Sequence, residues 1–245
     1  MIADLAFEKQ SLLMARLSQL AYQDNHDFSD FGYDSIFLDK NGSQAYFLWD
    51  RDDFIIVSRG TQPTELTDII ADIQFALVPS SAGVGHVHHG FKLSVDNIWV
   101  DLLKLLQKYG KNRKAWSTGH SLGAAMATLI TARCARTDKL PTPVLFTFGS
   151  PRVGNLEYIK LMNTLAVEHH RWVNNADIVT RNPIFPYKHH GIVHYFDHHG
   201  NIASLNKWQT FKDRVKGFII GIKKGKVNFF VNHDIGNYIK NIERL

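Results

Sequence analysis

The sequence predicts an α/β protein with a mostly parallel central sheet flanked by helices. Two observations carry this. In the middle of the chain, strand-like runs alternate with helix-spaced segments, the pattern of a parallel sheet with crossover helices. The composition, 44% hydrophobic and 21% charged over 245 residues, is that of an ordinary globular chain and excludes a disordered, collagenous or coiled-coil one. No internal repeat or low-complexity linker divides residues 1–245, which read as one domain.

In order along the chain, Phe7 to Tyr22 places Leu12, Leu13, Leu17, Leu20 and Ala21 at helical spacing. Ala45–Trp49 and Phe54–Val57 are aromatic and β-branched runs separated by Asp50-Arg51-Asp52-Asp53, a hairpin signature. Thr61 to Pro79 carries Leu66, Ile69, Ile70, Ile73 and Phe75 in a partly amphipathic helical pattern. Gly90 to Tyr109 is a strong helix, with Gly110 suited to its C-terminal end. A short strand ends near Thr118, and an alanine-rich helix runs from Ser121 to Arg136. Val144–Phe148 is a buried-type strand and Gly154 to Val167 a helix. Arg171–Asn174 and Ile192–Phe196 are later strands.

Chemistry concentrates at Gly119-His120-Ser121-Leu122-Gly123, a G-x-S-x-G pentapeptide between a predicted strand and a predicted helix. A serine on such a turn is thrust out at the carboxyl end of a strand, where open α/β sheets bind ligands. The following helix points its first N–H groups at the reacting centre, so Leu122 N–H is the expected oxyanion donor. A serine nucleophile needs a base, and the base an orienting acid. Downstream of Ser121 that order is filled by Asp177, just past a probable strand end, and by His233 near the C-terminus. With 13 histidines, no single one is singled out by composition; His189, His190, His194, His198 and His199 are rival bases, and Asp197 and Asp234 rival acids. His120 is expected to pack against or line the pocket. The tract His86, His88, His89 has no carboxylate or cysteine spaced with it as a metal site requires.

Several separated segments resemble the class 3 (fungal-type) lipases of the α/β-hydrolase fold. They are Val57-Ser58-Arg59-Gly60-Thr61, Thr67 to Asp72, Val87 to Phe91, Gly119 to Ala127, Phe146 to Gly154 and Val173 to Val179. The resemblance spans about Phe54 to His233 and implies Ser121 as nucleophile, Asp177 as acid and His233 as base. It implies that Thr61 joins Leu122 in the oxyanion hole, and that Gln62 to Val78 is a lid over the site. Ile69 and Ile70 of that segment are candidate substrate contacts. Ile69 stands where many members carry tryptophan. The bland alternative for the segment is an ordinary core-packed helix.

The expected activity is hydrolysis of acylglycerol esters through an acyl-enzyme, at an oil–water or membrane surface, with no cofactor and no metal. Short soluble, aromatic or phospholipid esters are alternative substrates of the same machinery. A catalytically silent lipid-surface binder is the non-enzyme alternative, opposed by the intact Ser121, Asp177 and His233. Nucleic acid is not an expected partner, since only the pI near 9.2 points to it. Asp4 and Glu8 sit where a secretory leader needs basic and then unbroken apolar residues, so the expectation is a cytoplasmic protein. The lone Cys134 allows no internal disulfide. The net charge of +5 is local: 207–226 carries seven basic residues against Asp213, leaving the remainder near neutrality. That segment also holds Trp208, Phe211, Val215, Phe218, Ile219 and Ile222 at helical spacing. It reads as a contact with anionic membrane, or as a packed helix with a solvated basic face.

Overall fold

Residues 1–60, 76–223 and 231–245 are described in the computed structural model, with residue 207 and residues 218–223 described by backbone alone. Helix α1 (Phe7–Leu20) precedes an antiparallel meander of β1 (Asp34–Lys40), β2 (Ser43–Trp49) and β3 (Asp53–Ser58). A separate two-stranded ribbon, β4 (Leu77–Pro79) and β5 (His86–His88), leads into α2 (His89–Tyr109). There follow β6 (Lys114–His120), α3 (Leu122–Arg136), β7 (Val144–Phe148), α4 (Leu156–Thr164), β8 (His169–Asn174) and β9 (Ile192–Phe196). Helices α5 (Lys207–Lys223) and α6 (Ile235–Ile242) come last.

The main sheet has the order β1-β2-β3-β6-β7-β8-β9, parallel from β3 onward. Parallel strands covered on both faces have no solvent side to alternate toward. β3 is accordingly buried along its whole length. Its one charged residue, Asp53, has its carboxylate satisfied by the Ile2 N–H and the Trp116 indole N–H, both at 2.8 Å. One face of the sheet packs Phe47, Phe54 and Ile56 against α2, α3 and α4. The other packs Tyr46, Trp116, Phe148 and Trp172 against α1 and α6. Helix α3 lies deepest. Ala124, Ala125 and Ala127 are fully buried, so small side chains surround it where a one-sided helix would carry a polar face.

The sequence expectations meet the structure unevenly. The hairpin, the helices beginning near Phe7, Gly90 and Ser121, and the strands at 144–148 and 192–196 stand where expected. β1 was not anticipated: it is an edge strand, partly exposed, without clean alternation. The helical pattern proposed for Thr61 to Pro79 ends differently, because Leu77–Pro79 is a strand paired with His86–His88. The lid expectation for 62–78, with Ile69 and Ile70, falls mainly outside the described residues. The helix expected from Gly154 starts at Leu156, since Asn155 caps it by accepting from Tyr158 N–H and Gly154 bridges to Val87 and Lys188. Gly110 ends α2 in the right-handed region. Its lack of a side chain is required by the close approach of the Leu106 carbonyl, not by backbone twist. Among the described residues no helix is long and apolar enough to cross a membrane.

Candidate active site

The strands from β3 to β9 run parallel, so the carboxyl ends of β6, β7 and β8 share one edge of the sheet. Ser121 joins β6 to α3 at φ 59° and ψ −128°, a backbone region that a non-glycine residue occupies only under strain. The flanking glycines have steric causes. A Cβ on Gly119 would overlap the backbone of Gly123, and one on Gly123 would overlap the carbonyl of Ser58 at the end of β3. The pentapeptide is thus the price of docking α3 this close to two strands while turning Ser121 outward. Leu122 is the first residue of α3, so its N–H has no acceptor within the helix.

β7 ends in Phe148, whose carbonyl accepts from Ser121 N–H at 3.0 Å. Gly149 follows with φ +60°, and a Cβ there would lie 2.8 Å from the His233 ring and 2.9 Å from Asp177 Oδ2. β8 ends in Asn174, and Asp177 folds back to donate its own N–H to the Asn174 carbonyl. The Asp177 carboxylate, wholly buried, accepts from three donors. His233 Nδ1 lies 2.9 Å from Oδ2 and 3.1 Å from Oδ1, Tyr238 Oη donates to Oδ2 at 2.6 Å, and Val179 N–H donates to Oδ1 at 2.9 Å. An ionised carboxylate accepts only, so His233 carries its proton on Nδ1 and leaves Nε2 as a base. Burial and the Asp177 charge hold the Tyr238 phenol well above its usual pKa, which keeps it a donor.

His120, expected to pack against or line the pocket, is packed beside His233. It is 3% exposed, and its Nε2 donates to the His233 carbonyl at 2.6 Å. A carbonyl can only accept, so in the neutral ring Nδ1 is bare and accepts a hydrogen bond from the Tyr22 hydroxyl at 2.8 Å. Burial and the neighbouring His233 push the His120 pKa well below its ordinary value, so the ring stays neutral. Its ring lies 4.4 Å from that of His233. With Asn174 Nδ2, which donates to the Asn232 carbonyl at 3.0 Å, His120 fixes the turn that carries His233. Tyr22 and Asn174 have no local sequence signal, because each reaches the site across a large separation in the chain. Tyr238 was visible only as a tyrosine after His233.

Ser121 Oγ and His233 Nε2 are both buried without a hydrogen-bond partner among the described residues. These are the two atoms a proton transfer would join, and such bonds are often long before substrate arrives. Four of the five rival bases are engaged elsewhere, and His199 is exposed. His189 meets the Thr180 carbonyl, His190 meets His169, His194 meets His170, and His198 meets Asp213. Asp197 caps the turn to Asn201, while Asp234 is exposed ahead of α6. His88 caps α2 by accepting from Phe91 N–H, and His86 and His89 are exposed. Among the described residues no three His, Cys, Asp or Glu groups converge as a metal site. Thr61 lies outside the described residues. Gly60 before it abuts Tyr22 and the His120 carbonyl, and Arg59 pairs with Asp24.

A strained serine elbow, a buried His–Asp pair at the same sheet edge and helices on both faces define an α/β-hydrolase. Residues 55–187, more than half the chain, match the family Lipase (class 3), and the protein belongs to that family. It is 35% identical over 119 residues to toxin TseL of Vibrio cholerae, covering 47% of this chain and 18% of that protein. It is 28% identical over 235 residues to the triacylglycerol lipase OBL1 of Ricinus communis, covering 70% of this chain and 44% of that one. The chain therefore spans less than half the length of these curated relatives. Among solved structures, lipase II from Rhizopus niveus aligns with a TM-score of 0.67 at 23% identity, covering 77% of this chain and 80% of that one.

Proposed function

We propose that the protein is a serine carboxylic ester hydrolase that cleaves acylglycerols at a lipid surface. The observation that carries this reading is the strained-turn geometry of Ser121 beside the Asp177-oriented His233 in a class 3 lipase chain. In the reaction, Ser121 Oγ attacks the acyl carbonyl while His233 Nε2 takes its proton. The oxyanion accepts from Leu122 N–H, with Thr61 as second donor. His233 returns the proton to the departing glyceride oxygen, leaving an acyl-Ser121 ester. Water, deprotonated by His233, then releases the fatty acid and restores Ser121. The test is fatty-acid release from a trioleoylglycerol emulsion followed by titration. Release is expected; hydrolysis confined to phospholipid or short soluble esters would overturn the acylglycerol reading while leaving the serine chemistry in place.

The surface-binding part of the proposal rests on α5. Its inward face is polar. The Asp213 carboxylate accepts from Asn175 Nδ2 at 2.7 Å, from Tyr195 Oη at 2.8 Å and from His198. Gly217 sits against the Asn175 side chain, where any Cβ would overlap. Three apolar residues of its first half face out: Trp208 is 62% exposed, Phe211 56% and Val215 40%. Trp208 and Phe211 stack at 5.6 Å, and the Lys212 ammonium lies 5.1 Å over the Trp208 ring. Exposed Lys212 and Lys216 flank this stripe. An apolar stripe bordered by lysines suits an anionic bilayer interface, where each basic residue contributes about 1 kcal/mol. Reversing Lys212 and Lys216 to Glu is expected to weaken sedimentation with equimolar phosphatidylcholine–phosphatidylglycerol vesicles by about tenfold or more. Hydrolysis of a soluble p-nitrophenyl ester should stay unchanged. Unaltered vesicle binding would refute the membrane role of α5.

A further inference from the structure

Over β8 and β9, walled by α5 and the turn after Asp177, lies a cavity of about 490 Å³ that the ester chemistry does not use. Arg171 on β8, Arg152 after β7, Arg181 in the turn after Asp177 and Arg214 on α5 all line it, and no aspartate or glutamate does. None of the four enters an ion pair among the described residues. Two acids stand nearby, and both are committed: Asp177 to His233, Tyr238 and Val179, and Asp213 to Asn175, Tyr195 and His198. Among the described residues their guanidinium contacts are to neutral groups. Arg152 donates to the Arg181 and Pro183 carbonyls, and Arg214 donates to the Asn175 carbonyl and lies 5.7 Å over the Tyr195 ring. The Nε atoms of Arg171 and Arg181 are buried without a hydrogen-bond partner among the described residues.

Buried donors without acceptors are rare in folded proteins, because each retains its full desolvation cost. Four like charges around one space add mutual repulsion. Burial above all draws the Arg171 guanidinium down to about 10 and lowers those of Arg152 and Arg181, and the Arg214 charge acts in the same direction on all three. A multiply charged anion with several acceptor oxygens answers both features, since guanidinium groups pair with phosphate oxygens in a planar, bidentate way. The cavity rim is apolar and open to solvent at Val193 and Ile202, and α5, which contributes Arg214 to the lining, also carries the exposed Trp208–Phe211 stripe.

We infer that this cavity is a binding site for a phosphate-bearing anion, held by Arg152, Arg171, Arg181 and Arg214. Its guest is either a soluble phosphate compound or the phosphate of a lipid headgroup, and one experiment separates them. Thermal melts of the full chain compare sodium pyrophosphate with sodium chloride at matched ionic strength. Pyrophosphate at a hundredfold its Kd is expected to raise Tm by about 5–10 °C. Arg171→Gln and Arg214→Gln should each lose this rise, and each should melt higher than the wild type in phosphate-free buffer, since one unpaired charge is gone. A merely structural arginine would give the opposite second result. In parallel, sedimentation with equimolar phosphatidylcholine–phosphatidic acid vesicles identifies the source. Weakened binding in Arg214→Gln, with competition by pyrophosphate in the wild type, marks a lipid phosphate. Unchanged vesicle binding beside a lost pyrophosphate response marks a soluble anion. A wild-type Tm that pyrophosphate moves no further than chloride does, or a response kept in both variants, overturns the site.

Discussion

Ser121→Ala is expected to lower kcat/KM for p-nitrophenyl esters by about 10⁴-fold or more, because the nucleophile and its base act as a unit. The same variant should fold and melt at or above the wild-type temperature. Ser121 Oγ is buried without a partner among the described residues, so its removal deletes an unsatisfied polar atom, while φ 59° is equally strained in serine and alanine. Lost activity with kept or raised stability is the signature of a residue retained for chemistry at some expense to the fold. A variant that retained a tenth of wild-type activity would exclude a Ser121 nucleophile.

Asp177→Asn is expected to cost about 10⁴-fold in kcat with little change in KM, through the tautomer of His233. Val179 N–H points at Oδ1 and can only donate, so the amide oxygen of asparagine must occupy that place. The amide nitrogen then faces His233 Nδ1 and Tyr238 Oη, where the carboxylate Oδ2 now accepts from both. The phenol can turn to accept. The imidazole can accept only by giving up its Nδ1 proton, which moves to Nε2 and removes the base. Steady-state kinetics check the loss, and a decrease below tenfold would show that Asp177 does not set the tautomer.

Legibility in the sequence follows the range of the cause. The elbow was readable because steric overlap at Gly119 and Gly123 dictates residue identity within five positions. The buried parallel strands were readable because covering both faces leaves a short unbroken apolar run, as at Val144–Phe148. β1 was not, since a half-exposed edge strand writes no strong pattern. Helical spacing in 207–226 revealed a stripe on α5 but not its direction. Direction was decided at long range, by the partners that Asp213 finds in Asn175, Tyr195 and His198. The hydrogen bonds from Tyr22 to His120 and from His120 to the His233 carbonyl, and the arginine cavity, were hidden for the same reason. Each joins residues from separate elements, and only the sheet order brings them together.

The proposed chemistry is tested most directly by treating the full chain with a fluorophosphonate probe and locating the adduct by peptide mass spectrometry. Such a reagent reports a serine made nucleophilic by its base. One stoichiometric adduct on Ser121 is expected, absent in Ser121→Ala and strongly slowed in His233→Ala. An unlabelled protein, or an adduct placed on another residue, would contradict it.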